Sequence, residues 1–192
     1  IMASNFGKTI QVSTFGASHG YAIGGIVEGL PCGHTIDIDE LQAFLKRRAP
    51  GQNQLQTQRK EADIPEFLSG MVDGMLSGSP LAFMIRNTSQ HSGDYNNLRD
   101  IPRPSHADFT ARMRYGDKVD MRGGGHFSAR LTAPLCVAGG IALQLLREKG
   151  IEIHGHLKQV GTIQDTPIDM VHPDMKALRE IATEPIAMLD AD

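Results

Sequence analysis

Apolar and polar residues along this 192-residue chain follow two different periods, and the places where the period changes mark out its elements. Thr9 to Phe15 alternates with period two, as a strand with one buried face does. Gly24 to Leu30 is a second strand candidate, closed by the turn Pro31-Cys-Gly33. Between Asp37 and Arg48 the period lengthens: Ile38, Leu41, Phe44 and Leu45 fall on one helical face. Acidic residues open that run, and Lys46, Arg47 and Arg48 end it in accord with the helix dipole. Gln52 to Asp63 has no period and reads as a loop. Phe67 to Thr88 reads as antiparallel strands joined by tight turns at Gly70, Gly74 and Gly78-Ser-Pro80, with Leu81 to Ile85 the clearest strand.

From Ser89 to Gly116 the chain is polar for nearly thirty residues, a length that in a compact protein points to function. Within it, Ser105 is a candidate helix cap and Asp108 favours a helix start. Leu131 to Leu146 is almost wholly apolar and reads as a buried helix, with Pro134 in its first turn, Ser128 as candidate cap and Gly150 as terminator. Ile151 to Leu157 is expected as a strand, continued by Val160 to Ile163. Pro173 to Ile181 forms a short amphipathic helix with Met175, Leu178 and Ile181 on one side.

Composition changes this picture little. A formal charge of −3 gives no global attraction to nucleic acid, so any anion must be held by local arginines. Cys32 and Cys136 form neither a disulfide framework nor a metal spacing, which favours a reducing compartment. The apolar run from Leu131 falls short of the ~20 residues that span a bilayer, and no signal peptide opens the chain, so a cytoplasmic protein is expected. His154 and His156 share one strand face, but no third ligand is near, and no metal is expected.

The chemistry gathers on loops. Three consecutive glycines in Arg122-Gly-Gly-Gly-His-Phe-Ser-Ala-Arg130 bury nothing and lose the most backbone freedom, so they serve either a tight turn or a close approach to a ligand. A glycine-rich loop before a helix start suits an anion. Loop histidines His19 and His106, arginines Arg48, Arg103, Arg122 and Arg130, and hydroxyls Ser18, Ser105 and Ser128 fit proton-coupled chemistry on a small, multiply anionic substrate.

Six segments then carry a resemblance: Phe15-Gly-Ala-Ser-His-Gly20, Arg47-Arg-Ala-Pro-Gly51, Arg59-Lys-Glu-Ala-Asp63, Ser92-Gly-Asp-Tyr95, Arg103-Pro-Ser-His-Ala-Asp108 and Arg122 to Arg130. Their order and spacing resemble chorismate synthase, over about Phe6 to Gly161 and about the N-terminal half of that family's usual length. The resemblance implies an α/β fold, a β-α-β sandwich of largely antiparallel sheets with helices between them, with residues 1–192 as a single domain. It implies anti-1,4-elimination of phosphate from 5-enolpyruvylshikimate-3-phosphate to give chorismate, with reduced FMN (FMNH2) as cofactor and NADPH as a candidate reductant. His19 would protonate the departing phosphate and His106 would sit by the flavin. Ser18, Arg48 and Arg130 would hold substrate, and His126, Phe127, Ser128 and Arg48 would line the cofactor site.

The sequence departs from the family pattern at Ala17, Gln54, His126 and Leu131, where glutamate, arginine, arginine and glutamate respectively are common. The family's remaining flavin contacts and an acidic residue assigned to proton transfer lie in its C-terminal half, so these 192 residues alone are expected to turn over little or no substrate. A homotetramer without nucleic-acid or membrane partners is the implied assembly. An FMN-binding reductase and a non-catalytic anion-binding module are the alternatives.

Overall fold

A computed structural model describes residues 4–49, 62–88, 101–184 and 186–190. The loop expected over Gln52 to Asp63 and the first part of the long polar segment therefore lie outside the described residues, except at Ala62 and Asp63. The chain forms two compact units, residues 1–145 and 146–192.

The first unit is built on a five-stranded antiparallel sheet in the order β1-β2-β3-β7-β4. These strands are β1 (Asn5–Gly7), β2 (Gln11–Gly16), β3 (Ala22–Glu28), β4 (Pro65–Ser69) and β7 (Leu81–Arg86), while β5 (Met71–Val72) and β6 (Met75–Leu76) form a hairpin of their own. Alternation sends Ile23 and Val27 of β3 and Leu81, Phe83 and Ile85 of β7 into the core, and the register sets Ile23 opposite Ile85 and Val27 opposite Leu81. The Gly24-Gly25 pair in the middle of β3 is explained by two rings. A Cβ at Gly25 would lie 2.8 Å from the Phe83 ring, and one at Gly24 would lie 2.4 Å from the Phe15 ring on the other face. Glycine is tolerated here because each missing side chain leaves room for a phenylalanine.

Helix α1 (Ile38–Arg48) starts where the sequence signals it, with the Asp37 carboxylate accepting from the Glu40 N–H at 2.8 Å. Helix α2 (Asp108–Tyr115) lies within the last part of the polar segment, and α3 (Thr132–Arg147) is the apolar helix. Leu41 and Leu45 of α1 and Ala133, Val137 and Ile141 of α3 join the sheet residues in one core. Gly140 lets the two helices approach, since a Cβ there would lie 2.6 Å from Leu41 Cδ1. Gln144 then locks them, accepting from the Asp37 N–H at 2.8 Å and donating to the Asp37 carbonyl at 2.9 Å. The mixed α/β architecture with antiparallel sheets is the one expected.

By length and composition Arg122–Arg147 could cross a membrane. It is not one continuous helix: Gly123, Gly124 and Gly125 have non-helical backbone, and α3 itself has 16 residues. That helix is about 24 Å long, short of a ~30 Å hydrocarbon core, and its Ala133, Val137, Ala138 and Ile141 are packed in protein.

In the second unit Gly150, at φ +71°, closes the helix as expected. The strand expected over Ile151 to Leu157 does not form: β8 (Gln159–Val160) and β9 (Ile163–Gln164) make only a two-stranded hairpin. Alternation is present at 151–157, but a strand needs a ladder, and Glu152 is instead held by Arg179 while the Leu157 N–H reaches the Ala187 carbonyl. Helix α4 (Met175–Ile181) is capped by Asp174 and buries Leu178 and Ile181.

Candidate active site

The loop after β2 is forced by Gly16, whose φ of +98° and close approach to the Ala22 carbonyl exclude a side chain. It carries Ser18 and His19 into the protein, and His19 is only 2% exposed. What covers it is the glycine loop. Gly123, Gly124 and Gly125 all have positive φ, and a Cβ at Gly123 would lie 2.1 Å from both Cε1 and Nδ1 of His19. The three glycines therefore serve a close approach, and the group approached is a histidine of the same chain.

Hydrogen bonds tie the two loops together. The Ser18 N–H donates to the Gly125 carbonyl at 3.1 Å, and Ser18 Oγ lies 3.1 Å from the carbonyls of both Arg122 and Gly123. A carbonyl can only accept, so the single hydroxyl proton of Ser18 is spent on them. The 3.2 Å contact between Ser18 Oγ and His19 Nδ1 must then run from Nδ1–H to Oγ. This fixes the tautomer of the neutral ring, with its proton on Nδ1. His126 closes the arrangement from the other side, with Nδ1 donating to the Gly16 carbonyl at 2.8 Å and Nε2 bonded to Ser4 Oγ. Both His126 nitrogens are thus used by the protein, and only its ring face is left for a ligand.

Arg122 turns back on its own loop, bonding the Asp120 carboxylate through Nε at 2.9 Å and a terminal nitrogen at 2.7 Å. Those bonds hold the Asp120 carboxyl below its usual range. The start of α3 differs from the expected anion site. Ser128 Oγ accepts from the Arg130 N–H, the Ser128 carbonyl accepts from the Leu131 N–H, and the Thr132 N–H is also taken within the turn. The N–H groups of Arg130, Leu131 and Thr132 are consumed by the cap and do not face an anion.

Arg130 belongs to a second cluster. The Asp63 side chain, with no exposed surface, accepts from Arg130 at Oδ1 and from Arg48 at Oδ2, the latter through Nε at 3.1 Å and a terminal nitrogen at 2.9 Å. Arg48 also donates to Thr132 Oγ1 at 3.1 Å. Asn87 joins the clusters: its Oδ1 accepts from Arg130 Nε at 3.3 Å, and its amide donates to the carbonyls of Ala17 and Gly20 at 3.1 and 2.8 Å. A continuous hydrogen-bond path thus runs from the His19 loop to Arg48. Asn87 and Asp63 were not singled out as site residues by the sequence reading. Only Asp63 left a trace, as the last residue of a signature segment.

His106 stands apart in character. It is exposed, on the loop before α2, with Nδ1 donating to the Pro104 carbonyl at 2.9 Å. Arg103 grips the Asp108 carboxylate through Nε at 2.8 Å and a terminal nitrogen at 2.9 Å, closing the loop and holding that carboxyl below its usual range. Ser105 is not the expected cap. Ala107 occupies that position without a side-chain bond, and Ser105 adopts φ +61°. At the far end of α2, Tyr115 meets the exposed ring of Phe127 with centroids 6.0 Å apart. Gln54 lies outside the described residues. His154 is bonded to Glu152 at 3.0 Å, and among the described residues no three His, Cys, Asp or Glu side chains are grouped to hold a metal.

Comparison with known proteins places this geometry. The family model for chorismate synthase matches residues 10–191. Chorismate synthase of Lancefieldella parvula is 45% identical over 192 residues, covering 100% of this chain and 50% of the relative. That of Ralstonia pickettii is 49% identical over 161 residues, covering 83% of this chain and 44% of the relative. A crystal structure of chorismate synthase superposes with a TM-score of 0.67 at 24% identity, over 95% of this chain and 48% of that one. The chain spans about half the length of the curated relatives it matches.

Proposed function

This chain belongs to the chorismate synthase family, and we propose that it carries the proton-donating and anion-binding half of a carbon–oxygen lyase. The reaction is anti-1,4-elimination of phosphate from 5-enolpyruvylshikimate-3-phosphate to give chorismate, in the shikimate pathway of aromatic amino-acid biosynthesis. The single observation that supports this most is the His19 cradle: a buried imidazole, pinned at Nδ1 by Ser18 and covered by three left-handed glycines.

Each residue's part follows from its contacts. Ser18 accepts the Nδ1 proton and orients the ring, so that His19, when doubly protonated, presents its Nε2–H to the departing phosphate. Asn87 and the glycine loop keep that ring from rotating away. Arg48 and Arg130 hold the substrate's anionic groups, because a planar guanidinium matches phosphate and carboxylate oxygens. Burial lowers the local dielectric and strengthens both interactions.

The residues also suit a flavin. The exposed Phe127 ring, with Tyr115 beside it, offers a π-face, and Ser128, His126 and Arg48 border the same loops. Reduced FMN bound there would supply a transient electron that weakens the allylic C–O bond, with no net redox change. His106, exposed on its own loop, is assigned to the flavin's protonation state. Assembly as a homotetramer in the cytoplasm, with NADPH as reductant, completes the reading.

Anaerobic incubation of the chain, completed to the length of its relatives, with reduced FMN and 5-enolpyruvylshikimate-3-phosphate tests it. Phosphate release without accumulation of oxidised flavin is the expected result. Stoichiometric flavin oxidation would point to a reductase, and no flavin binding at all to an anion-binding module.

A further inference from the structure

Asp63 has no part in the chemistry above, yet the fold goes to some length to keep it. Its side chain has no exposed surface, and its backbone sits at φ +48°, a left-handed region that is uncommon outside glycine but that aspartate enters more readily than most residues. A buried carboxylate is costly unless paired, and a buried ion pair is a poor way to gain stability, since apolar residues of the same volume serve as well or better. The reason for Asp63 is therefore sought in what it holds.

Its two oxygens are divided between two arginines from different elements. Oδ2 takes Arg48, at the last turn of α1, and Oδ1 takes Arg130, in the turn before α3. Both oxygens sit on one carbon, so the two guanidiniums are held at a fixed separation and angle that neither helix sets alone. Thr132 on the Arg48 side and Asn87 on the Arg130 side complete the orientation. Without the carboxylate, two like charges brought together in a low-dielectric site would repel and turn outward.

Resting on the anion-site reading above, we propose that Asp63 is a positioning residue: it yokes Arg48 and Arg130 into one two-guanidinium clamp for a phosphate or carboxylate group of the substrate.

The probe is inorganic phosphate, titrated calorimetrically into the 192-residue chain and into D63N, D63E, R48Q, R130Q and the double variant D63N/R48Q. D63N and R48Q are each expected to weaken phosphate binding at least tenfold, and D63E about threefold, because it keeps the charge but misplaces the oxygens. The double variant is expected to lose less than the sum of the two single losses, since the part of Asp63's effect that runs through Arg48 is already gone in R48Q. That non-additivity is a readout a merely structural role would not produce. Parental affinity in D63N, or fully additive losses in the double variant, overturns the proposal. If D63N does not fold, D63E decides: weakened binding supports the yoke, and parental binding overturns it. Phosphate binding that is absent from the parent, or that survives both R48Q and R130Q, overturns the anion-site reading and this proposal with it. Binding lost in R48Q and R130Q but retained in D63N overturns the proposal alone.

Discussion

His19 and His106 are given related tasks by the proposed chemistry, and the chain houses them by opposite means. His19 is sealed under left-handed glycines with a hydrogen bond fixing its tautomer, whereas His106 stands exposed on a loop closed by a single arginine–aspartate pair. A buried imidazole keeps one orientation and a strengthened field; an exposed one keeps access. On the proposed chemistry, the contrast pairs fixed geometry with proton delivery to a leaving group and reach with work beside a large cofactor.

The most severe way to break the contrast is to fill the cradle. Gly123→Ala forces a Cβ to within 2.1 Å of the His19 ring at a φ of +59°. Left-handed strain and overpacking together should cost about 2–5 kcal/mol. On the His106 side Gly116 has φ +80° but open space around its Cβ position, so Gly116→Ala should cost about 1–3 kcal/mol of backbone strain without the overpacking. Denaturant unfolding of the two variants checks the ranking, and equal losses would mean that the loop gives way without cost.

Removing the histidines themselves sharpens the comparison. In the enzyme completed to its relatives' length, His19→Ala and His106→Ala should each lower phosphate release at least tenfold, consistent with the ~10²–10⁴-fold range of general acid–base groups. Their effects on folding should diverge. His19→Ala leaves a buried cavity and removes the N–H donor to Ser18 Oγ, for about 1–3 kcal/mol, while His106→Ala should stay within about 0.5 kcal/mol, as exposed sites do. Single-turnover rates and thermal melts of both variants separate the two effects. Unaltered rates in both would end the assignment.

How much of this was legible beforehand depended on the range of the interaction. Local signals carried far: the helical face of α1, the strand of β7 and the apolar run of α3 each act within a few residues and are found where the pattern put them, while β3 begins two residues before the stretch expected. The glycine run announced a close approach but not to what, because Gly123 and His19 are 104 residues apart, a separation no period records. Asn87 was illegible for the same reason: an asparagine after a strand looks like any turn residue until its amide is seen bridging Ala17 and Gly20. Ile151 to Leu157 failed in the other direction, where correct alternation lacked a partner strand to make it real.

Acid narrows the difference between the two loops. Hydrogen bonds from Arg103 hold Asp108, and hydrogen bonds from Arg122 hold Asp120, below the ordinary carboxylate value of about 3.9. A depressed folded-state value means that each group's contribution is complete above the unfolded value and is lost as pH falls through the folded one. Both loops should therefore hold at pH 5 and loosen only below about pH 4. Amide exchange at residues 103–108 and 120–125, followed from pH 5 downward, reports this. Loosening of either loop above pH 5 would show that its carboxylate is not the lock.

The smallest effect lies at Ser105, next to His106. Its φ of +61° is unfavourable for serine and natural for glycine, and its hydroxyl makes no cap for α2. Ser105→Gly removes the strain but gives the unfolded chain more freedom to lose, so the two terms nearly cancel and stability should change by no more than about 1 kcal/mol. Activity is the finer gauge. If the strained serine serves to hold His106 out of the loop, the glycine variant should keep its fold and lose a few-fold in phosphate release, recoverable by Ser105→Asn, which tolerates the same backbone. If Ser105→Gly and Ser105→Asn both match the parent, His106 is placed by the Arg103–Asp108 pair alone, and an exposed histidine needs no more than one ion pair to do its work.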